Sequence, residues 1–256
     1  MLQPFEEDEW NVLRTYTDAR IALGRTGVSI PIRESLAFRL AHAHAKDAVY
    51  SVLAADELAA ALKQEAIPYL NVHSRAAHRD EYLRRPDLGR SLDTASAEFL
   101  RTAGLPPCDV LVVVADGLSA SAVNENAMPV LRKLLDKAAG HGFSVGPVIL
   151  AEQARVALAD EIGALAHARM TIILIGERPG LSSADSMGAY LTFAPEPGLT
   201  DERRNCISNI RRQGLVPDLA ADKIMYLVEG AFRLGLSGVA LKDNSDALPG
   251  GTTLSP

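Results

Sequence analysis

The run Asp109-Val110-Leu111-Val112-Val113-Val114-Ala115 constrains the fold more than any other part of the chain. It is continuous and β-branched rather than alternating, so it reads as a strand buried on both faces. A second such run, Thr171-Ile172-Ile173-Leu174-Ile175, follows some sixty residues later, with a further strand segment over Val145 to Ala151 between them. Helical segments separate them, Ala120 to Ala139 and Ala157 to His167. Strand, helix, strand, helix, strand implies right-handed crossovers and a parallel sheet. The expected fold is therefore α/β, a Rossmann-like, mostly parallel sheet flanked by helices.

The rest of the chain is arranged around that unit. Residues 1 to about 62 read as helical, densest in alanine, leucine and arginine from Ile32 to Leu62, with Gly24, Gly27 and Pro31 marking an irregular link. Ile67 to Val72 is a short strand candidate, a helix is expected to end near Thr102, Tyr190 to Phe193 is a candidate fourth strand, and Leu219 to Leu234 is a closing helix. Gly104-Leu105-Pro106-Pro107 divides a mainly helical part, 1–104, from an α/β part, 105–242; a Gly-, Ser- and Pro-rich tail, 243–256, is expected to be loose.

Composition excludes several classes. The chain has 256 residues, 48% hydrophobic and 23% charged, enough for a large core. A net charge of −6 argues against nucleic acid as the main partner. Two cysteines, Cys108 and Cys206, make no disulfide framework and fit a reducing cytoplasm. Met1 to Trp10 has no apolar signal core, and no apolar run approaches a membrane span.

Several chemical signatures are missing. Neither G-x-G-x-x-G nor G-x-x-x-x-G-K-[ST] occurs, and Gly117-Leu118-Ser119-Ala120-Ser121 falls short of a nucleophile elbow. His42 and His44 are two apart, which points their rings to different sides of a helix, and His44 with Asp47 reads as a local pair rather than a metal site. The arginines at 75, 79, 84, 85 and 90 are mixed with Asp80, Glu81 and Asp87, as on a solvated surface or a subunit interface. Cys108 reads as a small core residue, and Cys206 as either core or site.

Glu177 is the strongest candidate. It leaves the carboxyl end of a buried strand in Gly176-Glu177-Arg178-Pro179-Gly180-Leu181, where open α/β sheets hold ligands. Two readings stay open: an exposed turn carboxylate paired with Arg178, or a carboxylate aimed into the crevice over the strand ends.

Four segments occur in order: Arg85-Pro86-Asp87-Leu88-Gly89-Arg90, Asp116-Gly117-Leu118-Ser119, the Gly176–Leu181 segment, and Cys206-Ile207-Ser208-Asn209-Ile210. With weaker matches at Leu23–Gly27 and His42–Asp47, they give the chain, from about residue 15 to 240, a resemblance to the small subunit of ethanolamine ammonia-lyase, an adenosylcobalamin-dependent family. The resemblance implies a lyase that converts ethanolamine to acetaldehyde and ammonia by a radical route. It implies that the large subunit carries the substrate site and the catalytic residues, and that the small subunit closes over the cobalamin. It further implies a hetero-oligomer of six large and six small chains in the bacterial cytoplasm.

Three cofactor-contact positions carry over from the family to Val156, Glu177 and Cys206. No catalytic or metal-ligating residue is expected on this chain. A D-x-H-x-x-G motif, in which a protein histidine replaces the cofactor's lower base, does not occur, in keeping with base-on binding. Some members carry a long N-terminal extension tied to bacterial microcompartments; about a dozen residues precede the matching region here, so packaging stays an open expectation. The alternatives are a free-standing α/β small-molecule enzyme using Glu177, and a scaffold that only stabilises the large subunit.

Overall fold

The computed structural model describes residues 5–245; the loose tail expected over 243–256 falls mostly outside them. The elements run α1 (Ile32–Val49), α2 (Ala55–Gln64), β1 (Tyr69–His73), α3 (Arg79–Arg84), α4 (Thr94–Thr102), β2 (Cys108–Ala115), α5 (Ala120–Gly140), β3 (Val148–Glu152), α6 (Leu158–Leu165), β4 (Ala168–Gly176), β5 (Met187–Phe193), β6 (Arg204–Ile210) and α7 (Pro217–Leu234). The strands form one six-stranded sheet in the order β1-β3-β2-β4-β5-β6. β1, β3, β2 and β4 are mutually parallel, while β5 runs antiparallel to both of its neighbours. The expected mostly parallel, helix-flanked α/β sheet is the architecture found. β1 pairs with β3, so the sheet takes one strand from before residue 104.

The β-branched run explains the layering. Successive side chains of a strand point to opposite faces. Val110, Val112 and Val114 pack in a cluster with Leu131 and Leu134 of α5 and Ile224 and Val228 of α7. Leu111, Val113 and Ala115 pack in a second cluster with Leu100 of α4 and Leu158 and Ile162 of α6. Both faces are thus covered, and β2 is apolar at every position but one.

Three expectations are corrected. The front part is not continuously helical: among the described residues the only helical element before α1 is a 3₁₀ turn, Asn11–Thr15, and residues 50–54 separate α1 from α2. The 50–54 segment stays out of helix because a partner on α5 satisfies its backbone: Ala54 N donates to Asn124 Oδ1 at 3.0 Å, and Asn124 Nδ2 donates to Val52 O at 3.1 Å. β5 starts at Met187 rather than Tyr190. β6 was not anticipated, because an edge strand with Arg204, Ile207 and Ile210 as its buried positions shows neither alternation nor a continuous apolar run.

A buried ion pair places β6. Arg204 donates to Asp160 Oδ2 on α6, with both side chains almost fully buried, and to Leu199 O at 3.0 Å. Burial pushes the Asp160 carboxyl above its ordinary range, and the Arg204 charge opposes that rise.

The carboxyl ends of β2 and β4 pass unusually close. Leu118 N donates to Gly176 O at 2.9 Å. A Cβ on Gly117, whose φ is +57°, would lie 2.2 Å from Gly176 O, and one on Gly176 would lie 2.1 Å from Ser119 O. Gly176→Ala should therefore lower stability by more than about 3 kcal/mol in chemical unfolding, since backbone must move to admit the methyl. Gly140→Ala is the control: the position is helical with open space around it, and the change should be neutral or stabilising by up to about 1 kcal/mol.

Candidate functional site

The loop leaving β2 turns to α5 on one face of the sheet, and the loop leaving β3 turns to α6 on the other. Where such loops part, a crevice opens at the carboxyl edge of the sheet. Here it is an open cleft of about 430 Å³, lined by Tyr82, Gly117, Leu118, Arg155, Val156, Ile175, Glu177 and Tyr190 among others.

Asp116 shapes its floor. The carboxylate sits at the end of β2 and accepts Gly117 N and Ala154 N through Oδ1, each at 2.9 Å, and Gln153 N through Oδ2 at 2.9 Å. These bonds hold the β3–α6 loop, in which Gln153 has a φ of +52°. Burial raises the Asp116 carboxyl above its usual range, against the lowering by the Ala154 N–H and the Arg79 charge. Arg79 Nη1 lies 3.5 Å from Asp116 Oδ2 and donates to Gly117 O at 2.8 Å. Of the arginines read as solvated surface, Arg79 is thus a correction: its partners lie inside the fold. Arg85 fits that reading, paired with Asp87 on the surface.

Tyr82 forms the wall behind the loop. It is fully buried, and its hydroxyl donates to Ala154 O at 3.0 Å. Burial pushes that hydroxyl well above the ordinary tyrosine range, so it stays protonated as a donor. The guanidinium groups of Arg155 and Arg79 lie 4.1 and 4.7 Å from the ring centroid. Gly89 makes room for this packing, since a Cβ there would meet Arg155 Cγ at 2.9 Å, and Gly89 O accepts Arg155 N at 2.8 Å. The segments at 85–90 and 116–119 therefore both serve the loop that carries Val156.

On the opposite side, Glu177 follows β4 directly. Its Oε2 accepts Ser186 Oγ at 2.5 Å and Asn209 N at 3.2 Å. Asn209 has a φ of +59°, which turns its N–H inward from the end of β6. Arg178 is exposed and makes no ion pair with Glu177, so the structure selects the crevice reading over the turn-pair reading. Gly188 leaves space beside this carboxylate, because a Cβ there would meet Glu177 Oε1 at 3.0 Å and Tyr190 Cε2 at 3.2 Å.

Cys206 stands one strand away, opposite Tyr190 in the β5–β6 register. It is not among the cleft-lining residues, but its cross-strand neighbour Tyr190 is. Cys206 keeps solvent access while neighbouring protein atoms crowd its thiol. That crowding raises its pKa; the Tyr190 hydroxyl lowers it, and the Glu177 charge raises it. Val156 and Glu177 thus line one cleft, and Cys206 stands behind it, next to the cleft-lining Tyr190. Tyr82, Arg155, Ser186 and Tyr190 carry no signal of a site in the sequence, and Asn209 is marked only as part of the segment Cys206–Ile210. Elsewhere, His44 and Asp47 form no ion pair, and the described residues contain no group of three or more metal-ligating side chains.

The arrangement offers a carboxylate acceptor on one side, guanidinium donors on the other and an apolar patch between. No pair of groups is set in an acid–base or nucleophile–base relation with Glu177 beyond Ser186, whose proton the carboxylate already holds in a hydrogen bond. Alkylation of Cys206 by iodoacetamide should be half-maximal at a pH above the ordinary thiol value of about 8.5. Tyr190→Phe removes the hydroxyl that lowers the pKa and should move that midpoint higher still; an unmoved midpoint would show that the hydroxyl does not act on the thiol.

The sequence model of a family described as ethanolamine ammonia-lyase light chain matches residues 7–242. The ethanolamine ammonia-lyase small subunit of Pseudomonas putida (strain W619) is 51% identical over 246 residues, covering 95% of this chain and 90% of its own length. That of Pseudomonas aeruginosa (strain LESB58) is 52% identical over 243 residues, with 94% and 89% covered. The Azotobacter vinelandii small subunit is 51% identical over 246 residues, with 95% and 91% covered.

Proposed function

The chain belongs to the ethanolamine ammonia-lyase small-subunit family and so is one component of a lyase with a large-subunit partner; from that premise we propose that its cleft binds the rim of adenosylcobalamin, base-on, and encloses it against the large subunit. The observation that carries the proposal is the position of Glu177: a carboxylate at the carboxyl edge of the sheet, fixed by Ser186 and Asn209, with Gly188 leaving space at its other oxygen.

The donor set suits that cofactor. A corrin is a broad disc rimmed with amide side chains and is larger than the cleft, so a shallow open site fits one edge of it and leaves the rest to a second protein surface. Glu177 accepts amide N–H groups, and a charged acceptor makes the stronger bond. Val156 supplies apolar contact, and Cys206 contributes packing beside Tyr190. When bound, adenosylcobalamin supplies the cobalt–carbon bond on which the radical chemistry depends. The residues of this chain orient it and keep water away. Catalytic groups acting on ethanolamine are assigned to the large subunit.

The N-terminal part is assigned to large-subunit contact. α1 has 18 residues but buries only Ala45 and Ala48. Trp10, Tyr16, Ile30, Phe38 and Leu40 all stand exposed in this part, more apolar surface than an isolated chain carries without a partner. Arg20 Nη2 donates to Leu181 O at 3.3 Å, which sets this apolar part beside the turn that follows Glu177. The six-plus-six assembly and a bacterial cytoplasmic location belong to the same proposal; no helix among the described residues is long and apolar enough to cross a membrane.

Adenosylcobalamin-dependent release of acetaldehyde from ethanolamine should require both the large subunit and this chain. In the complex, Glu177→Ala should weaken adenosylcobalamin binding roughly tenfold or more, the loss of one charge-assisted hydrogen bond. A pure scaffold would keep that affinity unchanged. Alone, the chain should self-associate in sedimentation velocity, and the large subunit should abolish that association; a monomer at high concentration would remove the contact assignment.

A further inference from the structure

We infer that Arg155 is a ligand-binding residue of the cleft, donating hydrogen bonds to an acceptor oxygen on the rim of the bound cofactor, across from the acceptor that Glu177 supplies. The inference rests on the cofactor reading above and adds the donor half of the recognition.

Arg155 is held in place without spending its donors. Its guanidinium stacks on the Tyr82 ring at 4.1 Å from the centroid, and its stem occupies the space left by Gly89. Its backbone N–H is tied to Gly89 O at 2.8 Å. A guanidinium has five N–H donors. One side-chain bond uses them here, Nη2 to Tyr82 O at 3.1 Å. Nε is buried with no partner, and no carboxylate pairs with Arg155 among the described residues. A buried donor without a partner is costly, and such groups in native proteins call for an explanation. Nη1 is the donor open to a ligand: it has no protein partner and is not fully buried, and Arg155 lines the cleft beside Val156.

The sheet order completes the geometry. β2 lies between β3 and β4, so Arg155, after β3, and Glu177, after β4, flank the end of β2. Donor and acceptor thus face one space from two sides. A primary amide needs both, one for its oxygen and one for its N–H. The same donors also suit a phosphate oxygen, and Arg is the side chain best formed for either. Stacking on Tyr82 pre-organises the guanidinium, so little side-chain entropy is lost on binding.

The test is a spectroscopic titration of the complex with the large subunit, using adenosylcobalamin and, as a second probe, adenosylcobinamide, which keeps the amide rim but lacks the phosphate. Arg155→Gln keeps a stem of similar reach and should weaken adenosylcobalamin binding roughly ten- to a hundredfold. An equal loss with adenosylcobinamide identifies an amide oxygen as the acceptor; a loss confined to adenosylcobalamin places the acceptor in the nucleotide loop that carries the phosphate. Affinity within twofold of the unaltered complex for both probes would overturn the role of Arg155. If Glu177→Ala still weakens binding in that case, the cofactor reading stands alone. An unaltered complex that takes up no adenosylcobalamin would overturn both. Arg155→Lys, which retains the charge but not the fork, decides by the same thresholds if the glutamine variant does not assemble.

Discussion

Two backbones can pass as closely as those at the carboxyl ends of β2 and β4 only where neither carries a β carbon. Gly117 and Gly176 meet that condition, and the Leu118 N–H closes the contact on Gly176 O. Glu177 is the next residue, so its direction follows from this contact. Asp116 is the residue before, and its carboxylate reaches the other way to hold the β3–α6 loop. One close approach therefore sets both sides of the cleft. The cost of burying Asp116 is met by three backbone N–H groups and the nearby Arg79, the usual condition for a buried carboxylate.

Around that contact, the polar groups are tied to fixed partners. Tyr82, Arg79 and Arg155 share one aromatic ring, and the Tyr82 hydroxyl returns to the loop through Ala154 O. On the far side, the buried Arg204–Asp160 pair fixes where β6 begins, two residues before Cys206 and five before Asn209. Removing either member of such a pair leaves a bare charge in the interior and costs about 3–5 kcal/mol, so β6 has little freedom to slide. A site meant to hold a large ligand against a second protein benefits from that rigidity, because groups ordered in advance lose less entropy on binding.

Much of the fold was legible because its signal is local and apolar. The run from Val110 to Ala115 declares a two-sided strand without any knowledge of its neighbours, and α5 and α7 occupy the segments expected to be helical. The edge was not legible. β6 draws its burial from Arg204 and from spacing set by a register shift opposite Met187–Ala189, and neither leaves a two-residue alternation in the sequence. The break between α1 and α2 was hidden for a related reason: it depends on Asn124, seventy residues away, satisfying the backbone of 52–54.

The sequence by itself determined the α/β class, the order of the parallel strands' runs, the candidacy of Glu177 and, through ordered short segments, the family. Those follow from residue type and spacing, which are properties of the chain before it folds. Only the tertiary structure decided which reading of Glu177 holds, because its partners Ser186 and Asn209 lie nine and thirty-two residues away. It also decided that Arg79 is held inside the fold beside Asp116 rather than on the surface, and that Arg155 lines the cleft. An arginine looks the same in sequence whether solvent or a buried tyrosine ring takes its charge. The difference lies in Gly89 and Tyr82, which meet the β3–α6 loop only when β1 and β3 pair and bring the helix after β1 over the carboxyl edge.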